Sequence, residues 1–242
     1  MQAQRFSEAK QQIDSIKLMY PKAFEARKKA IKLMQQVDLT EQRKTVAYLD
    51  SVLAVKQHQL DSIKTNFVLE KDTAYQEVGN WFYPTQVVEK NVNRSFLRAQ
   101  VSEQGQMSIT SIYCAGGTLN HTAVKVSVGD TFAETPMSND SYTTKDLGRT
   151  IEKADYKVGE DGGVAAFIVA NHDKNLQLTF IGDKTYRTAM HKNDRKAFVE
   201  LSNLSNILTA MEEIRKQQKE ANLKIQFVLR KIEEGKTNET KK

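Results

Sequence analysis

Four histidines, one cysteine and one dense aromatic cluster are the residues of this 242-residue chain whose types are most open to chemistry. His121, His172 and His191 fall in its middle, but none has a second ligand at the spacing of a metal site, so neither a metal nor a cofactor is expected. His172-Asp173 reads as part of a turn. Cys114 stands alone before Ala115-Gly116-Gly117; it cannot form an internal disulfide, and a thiol nucleophile would need a base that linear spacing does not locate. Serine and threonine are plentiful but lack the Gly-x-Ser-x-Gly elbow. Gly159-Glu-Asp-Gly-Gly163 lacks the Lys-Ser/Thr that completes a phosphate loop and reads as a hairpin turn that opens no helix. No catalytic residue is assigned.

The aromatic run Trp81-Phe82-Tyr83-Pro84 lies where helical patterning gives way to strand patterning, a position that suits hinge packing better than sugar stacking. Trp81, Phe82 and Tyr83, with Tyr142 further on, are the candidate partner contacts.

Long helices flank these residues on both sides. From Val46 the apolar positions run Val46, Leu49, Leu53, Leu60, Ile63, Phe67, with Lys56 at the one missing step. Alternating threes and fours keep one narrow apolar seam on a helix, which suits a helical partner. Asp38 with Glu41 makes a capping box and Gly79 a stop, giving a helix from about 41 to 78. The C-terminal arm repeats the spacing through Leu204, Ile207, Met211, Ile214, Gln218, Ala221, Ile225, Val228 and Ile232, with Asn193 or Asp194 to cap it and Gly235 to end it. Before Asp38, Phe6, Ile13, Ile16, Tyr20, Phe24, Ile31 and Met34 form one broad face, kinked at Pro21. A turn at residues 37–40 folds this stretch back and predicts a three-helix bundle; in a looser variant only two helices pair, and the first is free to form a homo-oligomer.

Between residues 81 and 190 the period becomes two. Phe96 to Val101, Met107 to Tyr113, Ala123 to Val128, Val164 to Ala170, Leu176 to Ile181 and Thr185 to Met190 read as strands, with Gly116-Gly117, Gly129-Asp130, Gly159, Gly162-Gly163 and Gly182-Asp183 at the turns. Residues 132–157 show no clear period and read as a long surface loop suited to binding. The expected fold class is α+β: a long antiparallel, coiled-coil-like helical bundle (1–80 and 191–242) with an inserted antiparallel β-sandwich or jelly roll (81–190).

Net charge is +6, divided as +3 over residues 1–80, −1 over 81–190 and +4 over 191–242. The basic excess belongs to the arms, where acids and bases interleave as on solvated helix faces, so no nucleic-acid partner is expected. The longest apolar run, Val164 to Ala170, is strand-sized, so the chain is not read as transmembrane. Met1-Gln2-Ala3-Gln4 reads as a start placed where a signal peptide would have been cut.

Asp14-Ser15-Ile16, Asp50-Ser51-Val52, Asp61-Ser62-Ile63 and Asp72-Thr73-Ala74 each resemble the Asp-Ser/Thr-apolar acceptor used for O-glycosylation of exported proteins in the Bacteroidota. With the apparent truncation, the chain resembles envelope proteins of that group, and the resemblance implies a periplasmic or cell-surface setting. The expectation is a non-enzymatic exported protein whose helical stalk presents a β-sandwich to a protein or glycan partner. The alternatives are an enzyme with its site on the β-domain, metal-assisted through His121 or His172, and a chaperone-like adaptor gripping clients between arm and sandwich.

Overall fold

Pro21 is the only proline, and no glycine occurs, in the first 63 residues; the chain reverses there. In the computed structural model, which describes residues 2–71, 77–87, 90–146 and 148–240, α1 (Gln2–Met19) enters a short turn and α2 (Phe24–Ile63) follows as one helix of 40 residues. The reversal expected at 37–40 is therefore made at 20–23. Asp38 and Glu41 form no capping box: Lys10 of α1 reaches both, at 2.7 and 2.5 Å. Nor does Gly79 stop a helix. After a 3-10 turn (Lys64–Asn66), β1 (Val68–Glu70) pairs with β2 (Asn80–Phe82), and Gly79 donates its amide to Glu103 at 2.7 Å.

Packing divides the chain into two units, residues 1–57 with 211–242, and residues 58–210. In the first, α1 and α2 lie antiparallel, with Lys44 over the Phe6 ring and Lys10 on Asp38 and Glu41. The last helix, α4 (Lys192–Thr240), runs antiparallel to α2: Gln218 donates to Asp50 at 2.7 Å, and Leu223, Lys224, Phe227 and Val228 line one cleft with Asp38 and Gln42. The seam read from spacing is the buried edge of this helix, with Met211, Ile214, Ala221 and Val228 buried and Gln218, Ile225 and Ile232 half-buried. Gly235 does not end it; the helix continues to Thr240. On the N-terminal hairpin Ile13 is buried, but Tyr20, Phe24 and Ile31 of the expected broad face are exposed, because the reversal at Pro21 puts Tyr20 and Phe24 at the hairpin's end.

The second unit holds the strands. They are β1, β2, β3 (Phe96–Ser102), β4 (Met107–Ala115), β5 (Ala123–Val128), β6 (Thr131–Glu134), β7 (Asp140–Asp146), β8 (Arg149–Tyr156), β9 (Gln177–Ile181) and β10 (Thr185–Ala189). One antiparallel sheet has the order β1-β2-β3-β4-β8-β7 and the other β10-β9-β5-β6. Leu97, Ala99 and Ile109 of the first share a core with Val124, Val126, Leu178 and Phe180 of the second. Phe198, Leu201 and Leu204 of α4 and Phe67 enter the same core. Gly105, at φ +85, lies so close to α4 that a Cβ would come within 2.5 Å of the Thr209 amide nitrogen, and its carbonyl accepts the Ser205 and Thr209 hydroxyls.

Three expectations fail here. Val164 to Ala170 is not a strand but the short helix α3 (Val164–Ala170); Val164 and Ile168, four apart, are its buried face, and the Asp161 carboxylate accepts the Ala165 amide at 2.8 Å. Gly159 to Gly163 thus leads into a helix rather than forming a hairpin. Residues 132–157 are not a long loop: they form most of β6, then β7 and β8. The turns expected at Gly116-Gly117, Gly129-Asp130 and Gly182-Asp183 do lie between strands. The fold is α+β, with four helices and two antiparallel sheets among the described residues. Among those residues, no helix is long and apolar enough to cross a membrane.

Candidate functional site

The inner face of β4 and β8 carries a serine and a glutamate beside Ile109, Ala154 and the rings of Tyr113 and Tyr156. In the β4–β8 ladder Ser111 stands opposite Ala154, and Tyr113 opposite Glu152. Alternation turns Ile109, Ser111 and Tyr113 of β4 and Thr150, Glu152, Ala154 and Tyr156 of β8 inward together. The segment before β5 then wraps the Glu152 carboxylate. One oxygen accepts the amides of Leu119 (2.6 Å) and Asn120 (2.9 Å); the other accepts the His121 amide (2.9 Å) and faces His121 Nδ1 at 3.0 Å. Asn120 adopts φ +52 to make this wrap, a conformation asparagine tolerates better than most residues. On the far side of the ring, Nε2 lies 2.7 Å from Ser111 Oγ.

The charges around the ring favour one arrangement of its protons. Burial opposes a charged Glu152, but the three amides and His121 outweigh it and hold the carboxyl below its ordinary value of 4.5. Burial lowers the His121 imidazole below 6.5 against the pull of Glu152. With the ring neutral, the carboxylate accepts the Nδ1 proton and Nε2 accepts from the Ser111 hydroxyl, which also lies 3.3 Å from the Ala154 carbonyl. Serine, histidine and glutamate are linked in the order of nucleophile, base and orienting acid. Yet Ser111, His121 and Glu152 are 0%, 2% and 1% exposed, and the Tyr113 and Phe180 rings close on the imidazole edge-on at 6.2 and 5.2 Å. As it stands, this network ties β4, β8 and the 119–121 segment together; a substrate has no approach to Ser111.

A second polar constellation is open. At one end of the sheets, a cleft of about 600 Å³ is lined by Asn93 to Ser95, Cys114 to Gly116, Gly148 and Arg149, Tyr186 and Thr188 of β10, and His191. Arg94 forms its floor: the guanidinium binds Asp194, which is 1% exposed, at 2.7 and 2.8 Å and stacks on Phe96 at 4.2 Å. Gln86, also buried, steadies the same corner by bonding the Leu97 carbonyl and the Ala99 amide of β3, each at 2.9 Å. Asp194 thus holds Arg94 from the first turn of α4 instead of capping that helix. Arg149 is exposed, and among the described residues its guanidinium binds only a carbonyl oxygen, that of Asn93 at 3.2 Å. Among the described residues, the lining contains two guanidiniums and an imidazole but no carboxylate. Its chemistry suits an anionic group.

The residues singled out from sequence do not converge. Phe82 is buried beneath the Arg98 guanidinium at 3.8 Å, and Tyr83 packs edge-on against Phe67 at 6.0 Å. Trp81 sits half-buried on β2, near one edge of the six-stranded sheet. Tyr142, half exposed with Lys153 over its ring at 5.5 Å, is on β7 at the opposite edge. His121 and His172 are not partners: His172 is exposed and sits on the Val169 carbonyl at 2.9 Å. Among the described residues, no group of three or more His, Cys, Asp or Glu side chains is placed to hold a metal ion. Cys114 and His191 line the same cleft without a hydrogen bond between them. Ser15, Ser51 and Ser62 lie in α1 and α2, each hydroxyl bonded to the carbonyl three residues back; Asp72-Thr73-Ala74 lies outside the described residues.

Spacing did not disclose Ser111 or Glu152. Ser111 lay within a recognised strand, but Glu152 belonged to a segment without visible period, and only Thr150-x-Glu152-x-Ala154-x-Tyr156 hinted at alternation. No family model, no curated protein and no solved structure matches the chain.

Proposed function

We propose that this chain is a non-enzymatic exported binding protein, acting in the periplasm or at the cell surface. In this reading a three-helix, coiled-coil-like stalk carries a β-sandwich that takes a protein or glycan partner through an anionic group. One observation carries the reading: the open cleft lined by Arg94, Arg149 and His191, in which Asp194 already pairs with Arg94 while Arg149, among the described residues, meets no carboxylate. Arg94 is pre-oriented by Asp194, while Arg149 stays exposed for a bidentate contact.

The test is binding of the full chain to arrayed acidic and neutral glycans and peptides. Acidic probes should be retained and neutral ones not, and Arg149→Glu should weaken the retained ones at least tenfold. Retention of neutral probes alone, or indifference to Arg149→Glu, would remove the cleft from the reading. The geometry of Ser111, His121 and Glu152 favours one second reading, a hydrolase whose serine is reached when the 119–121 segment opens. Labelling by a fluorophosphonate probe that vanishes in Ser111→Ala would favour it over simple binding.

A further inference from the structure

The N-terminal hairpin ends in an uncovered apolar cap. Leu18, Met19 and Phe24 are 79%, 66% and 75% exposed, and Tyr20 is 57% exposed. They are the last residues of α1, the turn, and the first residue of α2. Side chains of this size at the end of a water-facing hairpin are costly unless something covers them.

The charge around the cap says what kind of surface that is. Residues 17–32 hold six lysines and arginines against one acid, Glu25. Lys17, Lys22 and Lys29 are exposed, and Arg27 is drawn to the turn by the Pro21 carbonyl at 3.0 Å. An apolar tip with interfacial aromatics, ringed by lysines, is the chemistry of an element that enters the headgroup layer of an anionic bilayer. A protein partner fits less well. A standard interface takes roughly 20–30 residues a side, whereas this cap is four side chains on a convex end, and a bilayer needs no matching shape.

We propose that the α1–α2 hairpin tip is a peripheral membrane-docking element: Leu18, Met19, Tyr20 and Phe24 enter the interface of an anionic bilayer, and the surrounding lysines hold the headgroups. The element lies on the surface and spans nothing. It is independent of the ligand cleft, so either can hold without the other.

Flotation of the full chain with vesicles of phosphatidylglycerol and phosphatidylcholine, against phosphatidylcholine alone, tests this. Binding should require the anionic lipid and weaken in high salt. Lys17→Gln, Lys22→Gln and Lys29→Gln together should lower partitioning on the order of a hundredfold. Leu18→Ser, Met19→Ser and Phe24→Ser together should lower it at least tenfold while leaving the circular dichroism spectrum unchanged, since all three are exposed. Binding that survives the serine changes would reduce the tip to a charge contact and overturn insertion. Equal binding to neutral vesicles would overturn the role of the lysines. Should the chain ignore both vesicles but dimerise in sedimentation equilibrium, and lose the dimer with the serine changes, a second copy covers the tip and the proposal is wrong.

Discussion

The seam of α4 beyond residue 210 and the inner face of β8 are both buried, but one is written in apolar residues and the other largely in polar ones. Along α4, Met211, Ile214, Gln218, Ala221, Ile225, Val228 and Ile232 face inward, while Leu223 and Phe227 beside them stay exposed. Along β8 the inward residues are Thr150, Glu152, Ala154 and Tyr156. In the helix, burial is driven by removing a narrow apolar stripe from water, so deleting one side chain removes one increment. In the strand, burial is permitted because the Glu152 carboxylate and the Tyr156 hydroxyl are answered by hydrogen-bond partners. Removing one partner there strands several others.

That difference sets the largest expected effect. Glu152→Ala leaves the Leu119, Asn120 and His121 amides and the imidazole without their acceptor, and should cost roughly 3–5 kcal/mol. Urea unfolding followed by Trp81, the sole tryptophan and a residue of the β-rich unit, measures it. A loss below about 1 kcal/mol, the size of one ordinary hydrogen bond, would mean that the carboxylate is not the keystone of the 119–121 segment. On the helical side, Leu49→Ala at a 5% exposed seam position should cost about 2–4 kcal/mol, read from the helical dichroism signal. An unchanged melt would break the pairing of α2 with its neighbours.

Legibility follows the same division. Alternating threes and fours from Val46 to Phe67 and from Met211 to Ile232 identify the buried edges of α2 and α4 because apolar burial leaves a period in the sequence. The limits of α2 were less visible. Asp38 and Glu41 have the form of a cap, and only the distant Lys10 shows that they serve an ion pair instead. Phe67 continues the helical seam in number but ends up in the core of the β-rich unit. Strands β3, β5 and β9 alternate plainly; β4 and β8 do not, since Ile112 and Ile151 lie on the outward phase and Ser111 and Glu152 on the inward one. The open cleft draws on residues from five separate segments, so no local spacing announces it. Ser111 and Glu152 were hidden for a related reason: a buried polar network is a relation between strands, and one strand's sequence carries only its own half.

Acid sharpens the comparison further. His121 and Glu152 both bind protons more weakly folded than unfolded: His121 is held below 6.5 by burial, and Glu152 below 4.5 by its hydrogen bonds. Wherever the unfolded chain binds more protons, stability falls as pH falls. The β-rich unit should therefore lose stability from about pH 6.5 downward through His121, and again below about pH 4.5 through Glu152. The urea midpoint reported by Trp81 should drop between pH 7 and 5, and His121→Gln should flatten that limb. A flat wild-type midpoint across this range would exclude His121 as a neutral, buried ring.

The smallest effect concerns Gly235, which reads as a stop and lies inside α4. A glycine within a helix is less favourable than alanine by up to about 1 kcal/mol, because it loses more backbone freedom on ordering. A Cβ added there meets nothing within 4 Å. Gly235→Ala should then raise helicity at the C-terminal end and slow amide exchange after residue 230, with a gain in stability of about 1 kcal/mol or less. The outcome separates the two meanings of the residue. In a true stop the glycine occupies the left-handed region, where alanine is strained, and the substitution would cost stability and leave exchange fast. A measured loss would restore Gly235 as the end of the arm and shorten the helical unit by its last turn.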